Sequence, residues 1–223
     1  YVPSYQGVED GVAMVAASYF GAQIPWESPS LYRGNDNGGF EDVARSVGLE
    51  RYHLPMGANF GDIDNDGFLD FYLGTGYLDY EAVMPNVMYW NRRGEGFSDV
   101  TLGGGFGHLQ KGHAIAFADF DHDGDQDIFE QMGGAFPGDR FSDAVFENPG
   151  FGNHWVTLRL VGERSNRAAI GARVGLDITE NGQRRTIYKH INSGGSFGAN
   201  PLRQTIGLGS ATRLPSWHVN PIR

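Results

Sequence analysis

Cysteine is absent from these 223 residues, which excludes a disulfide framework and any thiolate metal site. No long apolar run is present, so no membrane-spanning segment is expected. No cluster of Lys and Arg is present either, and the net charge is −10; nucleic acid and anionic membrane surfaces are therefore not expected partners. What is abundant is glycine, at 34 residues, with 13% aromatic residues. Short strands joined by glycine turns suit that composition better than a helical bundle.

The acidity is concentrated in two places, 60-FGDIDNDGFLDFYLG-74 and 117-FADFDHDGDQDIFEQ-131. Without Asp62, Asp64, Asp66, Asp70, Asp119, Asp121, Asp123 and Asp127 the net charge would be only −2. Carboxylates this close repel one another unless a cation lies among them.

The two stretches are one pattern, a 57-residue repeat that carries Asp62 onto Asp119. The same shift places Phe60 on Phe117, Gly76 on Gly133, 40-FEDV-43 on 97-FSDV-100, and 88-MYWN-91 on 145-VFEN-148. It holds without gaps from about residue 31 to 148. Within a unit, HAIAFAD, DIFEQMGG, NVMYWN and GFSDVT are four short extended runs separated by turns, the layout of a propeller blade. Such a blade needs neighbours to cover its faces. The opening VPSYQGVEDGVAMVAASYF reads as the inside of another strand-rich unit, with 15-VAASYFG-21 falling on 72-YLGTGYL-78. Only Glu9 and Asp10 stand where its acidic loop would be, so no strong cation site is expected there.

Both loops read D-x-D-x-D-G-x-x-D. Carboxylates at positions one, three, five and nine, with the backbone carbonyls of Phe68 and Asp125 at position seven, make two sets of hard oxygen ligands suited to Ca2+. Gly67 and Gly124 permit the sharp turn. Magnesium demands stricter octahedral geometry, and zinc or copper would call for His or Cys. An EF-hand is disfavoured by the extended flanks and by Leu73 at the twelfth position of the first loop.

These loops, with the L-Y-R/F-x-N and G-F-x-D-V segments, resemble the FG-GAP or VCBS repeat of integrin-like β-propellers. The segment 153-NHWVTLRLVGERSNRAAIGARV-174, with 193-SGGSFG-198 and 206-IGLG-209, resembles the ASPIC/UnbV domain of the cartilage-acidic-protein-like family. The resulting expectation is an all-β chain of about two to three blades followed by a small antiparallel β domain. Residues 1–30 would be the end of a preceding blade, 31–152 the calcium-binding blades and 153–223 the ASPIC/UnbV-like domain. The resemblance implies a secreted, cell-surface or periplasmic calcium-binding protein. Two clear units are too few for a closed ring, so other copies, or blades of a longer chain, are the expected partners, with a glycan or an extracellular protein as further candidates.

No catalytic site is marked. His108 and His113 lack a third ligand and are expected in turns and packing. Asp79, Glu81, Asp139 and Asp143 read as free surface acids. In the insert 77-YLDYEAVMPNVMYW-90, Tyr77, Tyr80, Tyr89 and Trp90 are expected in core packing or in an aromatic platform for a sugar or partner. Arg159, Arg164, Arg167, Arg173, Arg184, Arg185 and Lys189 make the last segment basic, as a solvated face or as a docking surface for acidic neighbours. The expected function is a calcium-stabilised, non-catalytic extracellular interaction or structural module; the alternative is an accessory or scaffold part of a polysaccharide-acting enzyme.

Overall fold

In the computed structural model, which describes residues 1–3, 10–164, 166–192 and 194–220, the chain first forms a helix, α1 (Gly11–Tyr19). A strand-rich segment is the expectation here, and it is not met. Ala13, Met14, Ala16 and Ala17 are strong helix formers, and the segment has no period-two alternation. So short a helix depends on packing; Val15 is buried with Leu54 and Met84. Of the acidic pair before it, Glu9 lies outside the described residues, as does Ser193 of the later glycine-rich motif.

Strands β1 (Tyr32–Gly34) and β2 (Phe40–Asp42) then make a two-stranded ribbon. A four-stranded antiparallel meander follows, built from β3 (Pro55–Gly61), β4 (Asp70–Thr75), β5 (Val87–Asn91) and β6 (Phe97–Asp99). The next sheet holds β7 (Gly112–Ala118), β8 (Asp127–Met132) and β9 (Ala144–Phe146). Pro55 and Gly112, Asp70 and Asp127, and Val87 and Ala144 open equivalent strands, each pair separated by the step that carries Asp62 onto Asp119. Phe40 and Phe97 share that spacing, which makes β1 and β2 the outer half of a blade.

The blades stack through alternation on β4 and β5. Every residue of β4 is buried. Phe71 and Leu73 join Val87 and Tyr89 in one apolar layer, with Val43, Val47 and Leu49 of the preceding segment. Tyr72 and Met88 face the other way, onto Ile115, Phe117 and Ile128 of the next blade. Each such side chain contributes roughly 1.5–3 kcal/mol by leaving water. Glycine permits the close approach of the inner strands: a Cβ on Gly57 would lie 1.7 Å from the His113 carbonyl oxygen.

Residues 153–220 form a two-layer unit. Strands β10 (His154–Leu158), β11 (Arg173–Glu180), β12 (Gln183–His190), β13 (Gln204–Gly209) and β14 (Ser216–Asn220) make a β10–β13 pair and a β12–β11–β14 sheet. The two share a core of Val174, Leu176, Ile178, Ile187, Ile206 and Leu208. One further repeat step carries Phe97, which opens β6, onto His154, which opens β10. By that spacing β10 stands where the fourth strand of the second blade is expected. It pairs with β13 instead, and β9 is left as the edge of its sheet.

Candidate metal centre

The acidic loops join the first two strands of each blade, residues 62–69 between β3 and β4 and 119–126 between β7 and β8. Their backbones bend alike. Asn65 and His122 adopt φ of 54° and 68°, and Gly67 and Gly124 adopt 87° and 97°, so positions four and six of each loop are left-handed. This conformation comes readily to glycine and is tolerated by Asn.

The bends bring carboxylates together. Oxygen atoms of Asp62, Asp64 and Asp70 lie within 4.8 Å of one another, as do those of Asp119, Asp121 and Asp123. Asp66 and Asp127 belong to the same loops but outside these triads. The Asp66 carboxylate accepts the Phe68 N–H at 2.8 Å. Asp127 accepts the N–H groups of Phe120 and Asn148 at 2.9 and 2.8 Å. Asp70 does the same one repeat earlier, accepting from Ile63 and Asn91 at 2.8 and 2.7 Å. The ninth-position aspartate thus ties loop and second strand to the end of the third strand in the first blade, and to the segment just after it in the second. Phe68 and Asp125, expected to offer carbonyls, lie in the loops with side-chain roles as well. The Phe68 ring lies 4.8 Å from the Arg185 guanidinium, and the Asp125 carboxylate accepts from Asn65 Nδ2.

Burial separates the loops. Asp62, Asp64, Asp66 and Asp70 are all buried, whereas Asp121 and Asp123 are exposed. Desolvation, reinforced by Asp66, pushes the Asp62 carboxyl up to about 7. Burial likewise carries Asp66 to about 6 and Asp70 to about 8. Lys189 acts on Asp62 in the opposite sense. A low-dielectric nest of acids with oxygen donors alone fits a hard divalent cation. In the second loop, Asp119 Oδ1 is buried without a hydrogen-bond partner, an orphaned oxygen that a cation would satisfy.

Several residues around the loops carry no obvious sequence signal. Trp90 Nε1 donates to Asp64 Oδ2 at 2.9 Å. Asn65 Nδ2 donates to the Gly124 carbonyl at 3.1 Å, linking the two loops. The Asp62 N–H donates to Gln126 Oε1 at 3.3 Å. Asn148 is foreseeable, because Asn91 precedes it by one repeat.

Other candidates fall elsewhere. His108 packs its ring 5.2 Å from Phe141 and accepts from the Gln110 N–H; His113 Nε2 lies 2.6 Å from the Gly133 carbonyl. Both serve turns and packing. Asp139 is not a free surface acid: it pairs with Lys111, whose side chain is 1% exposed. Asp143 is also engaged, accepting the Met132 N–H at 3.1 Å, while Asp79 and Glu81 are exposed. Of the aromatic insert, Tyr89 is core, Trp90 serves the first loop, and Tyr80 stacks on Phe136 at 5.3 Å. Arg185 and Lys189 turn toward the first loop, Arg173 lies over the Tyr188 ring at 4.2 Å, and Arg159, Arg164, Arg167 and Arg184 are exposed.

Comparison with known families accounts for most of the chain. A model described as FG-GAP-like repeat matches residues 14–73 and 74–130. One described as ASPIC and UnbV matches residues 162–220. Each repeat match ends in the strand that follows an acidic loop, at Leu73 and Glu130, again one repeat step apart. No curated protein matches the chain.

Proposed function

The chain belongs to the FG-GAP-like repeat family and carries an ASPIC and UnbV unit after its repeats, and from this we propose that it is a calcium-stabilised, non-catalytic interaction module of the extracellular space. The convergence of Asp62, Asp64 and Asp70 in a buried nest carries this reading. Calcium supplies a divalent charge that hard oxygen ligands surround in irregular geometry. Asp62, Asp64, Asp66 and Asp70 would hold one ion, and Asp119, Asp121, Asp123 and Asp127 the second.

The chain's own residues make the loops ready for it. Asp62 accepts the N–H groups of Asp66 and Gly67 at 3.0 and 2.9 Å, which curls the first loop around its carboxylates. Asp70 and Asp127 tie that curl to the strands, so a filled loop stiffens its blade and the surfaces beside it. An extracellular setting supplies calcium in the range such modules use, and no described helix is long and apolar enough to cross a membrane. The open edge of β9 suits a strand from another copy or from further blades.

Thermal melting of the full chain in calcium and in excess chelator tests the reading. The expected result is a lower melting temperature in chelator, reproduced in calcium by Asp64→Asn combined with Asp121→Asn. Identical melting curves in calcium and chelator contradict it.

A further inference from the structure

Two loops with one sequence pattern have different surroundings. Three consecutive backbone carbonyls of the first loop are held from residues 153–220. Asn153 Nδ2 donates to the Asp64 carbonyl at 2.7 Å, the Gly209 N–H to the Asn65 carbonyl at 2.8 Å, and Arg185 Nη2 to the Asp66 carbonyl. A Cβ on Gly67 would meet Ile187 at 2.7 Å and the Gly207 carbonyl at 3.1 Å. The C-terminal unit therefore lies directly on this turn. Glu180, 6% exposed, anchors the contact by pairing with Arg93 of the first blade and with Arg185 of its own unit.

The second loop is touched by the same unit at its two ends, where Arg203 Nη2 donates to the Asp119 carbonyl at 3.5 Å and Gln126 Nε2 to the Thr205 carbonyl at 3.0 Å, but among the described residues its middle carbonyls are not held in this way. Its equivalent residues are Asp121, His122 and Asp123, all exposed. His122 Nδ1 meets Arg203 at 2.9 Å, a contact between exposed side chains, and Trp155 lies against Gly124.

We infer that residues 153–220 roof the first cation loop, with Asn153 and Arg185 as positioning residues for its ion, so that cation binding there and docking of the C-terminal unit strengthen each other, and do so more than at the second loop. This inference rests on the calcium reading above. The roof fixes the backbone between the liganding carboxylates, so less ordering remains for the ion to impose. Filling takes the loop from −4 to −2, which weakens but does not reverse its attraction for Arg185 and Lys189, so the coupling is carried by the held backbone carbonyls and not by charge. Coupling between two binding events is reciprocal and typically worth about 5–150-fold. Burial beneath the roof also predicts slower ion exchange from the first loop than from the second.

The test is calorimetric titration of the full chain with CaCl2, alongside Asn153→Ala and Arg185→Ala. Wild type should bind in two steps. Asn153→Ala should weaken the tighter step about tenfold or more, Arg185→Ala should weaken it less because it also removes a positive charge beside the ion, and both should leave the looser step in place. Two steps with the tighter one unchanged in both variants overturn the roof and leave calcium binding standing. No binding by wild type overturns the calcium reading itself. Because Arg185→Ala also disturbs the Glu180 pair, a second measurement uses the unsubstituted protein. Chymotryptic cleavage at Phe151, 60% exposed in the segment joining the two units, should slow about tenfold on adding CaCl2. It should slow nearly as much in Asp121→Asn, where the second loop is disabled. A cleavage rate insensitive to calcium in a protein that binds it contradicts the coupling.

Discussion

Asn65 of the first acidic loop donates its side-chain amide to the backbone carbonyl of Gly124 in the second, at 3.1 Å. One left-handed residue thereby links the loops of two successive blades, and the same amide reaches Asp125. Asn65→Ala removes both bonds and places Ala at φ 54°. A loss of about 2–3 kcal/mol is expected by chemical denaturation, combining an unsatisfied buried acceptor with left-handed strain. Asn65→Gly keeps the backbone freedom and should lose the smaller, hydrogen-bond share.

Each loop has its own tryptophan. Trp90 donates to Asp64 in the first, and the Trp155 ring lies against Gly124 in the second. Calcium should shift the emission of both. Trp90→Phe should abolish the signal of the tighter step, and Trp155→Phe that of the looser one. Equal loss of both signals in either variant would contradict separate sites.

Inner strands that touch through backbone should not tolerate a methyl group. Gly57→Ala places Cβ 1.7 Å from the His113 carbonyl oxygen and is expected to cost about 3 kcal/mol, the upper range for overpacking. Gly103→Ala, with open space around the added atom, should stay within about 0.5 kcal/mol. Both are read from denaturant midpoints.

Two buried groups outside the loops set opposite flanks of the pH profile. Burial pushes Glu130 up to about 8, above its ordinary 4.5, so its contribution is complete below pH 4.5 and is lost as pH rises toward 8. Burial lowers His53 to about 4, so its contribution is present above pH 6.5 and is lost as pH falls toward 4. With calcium held saturating, Glu130→Gln should flatten the alkaline decline and His53→Gln the acid one. Melting temperatures across pH 4–9 check both slopes.

The repeat is readable from residues alone because it is local. Asp62 and Asp119, Asn91 and Asn148, and Phe40 and Phe97 each serve equivalent backbone positions, and strand starts follow the same spacing. Two features escape such a reading for physical reasons. Residues 11–19 share glycine and aromatic spacing with a strand, but their alanines favour a helix, which Val15 seats against Leu54 and Met84. The fate of β10 depends on a partner far along the chain: H-W-V-T-L alternates well enough for either β9 or β13, and shared burial with Val174, Leu176 and Ile206 selects β13. The roof over the first loop is hidden for the same reason, since Arg185 reads like any other arginine until β12 is placed.

The most direct measurement of the central claim is calcium binding by the full chain after exhaustive chelation, followed together with the melting temperature. Two ions should bind, and calcium at about 100 times a site's dissociation constant should add roughly 2.7 kcal/mol for that site, raising the melting temperature by several degrees. A chelated protein that takes up no calcium and melts at an unchanged temperature would contradict the account.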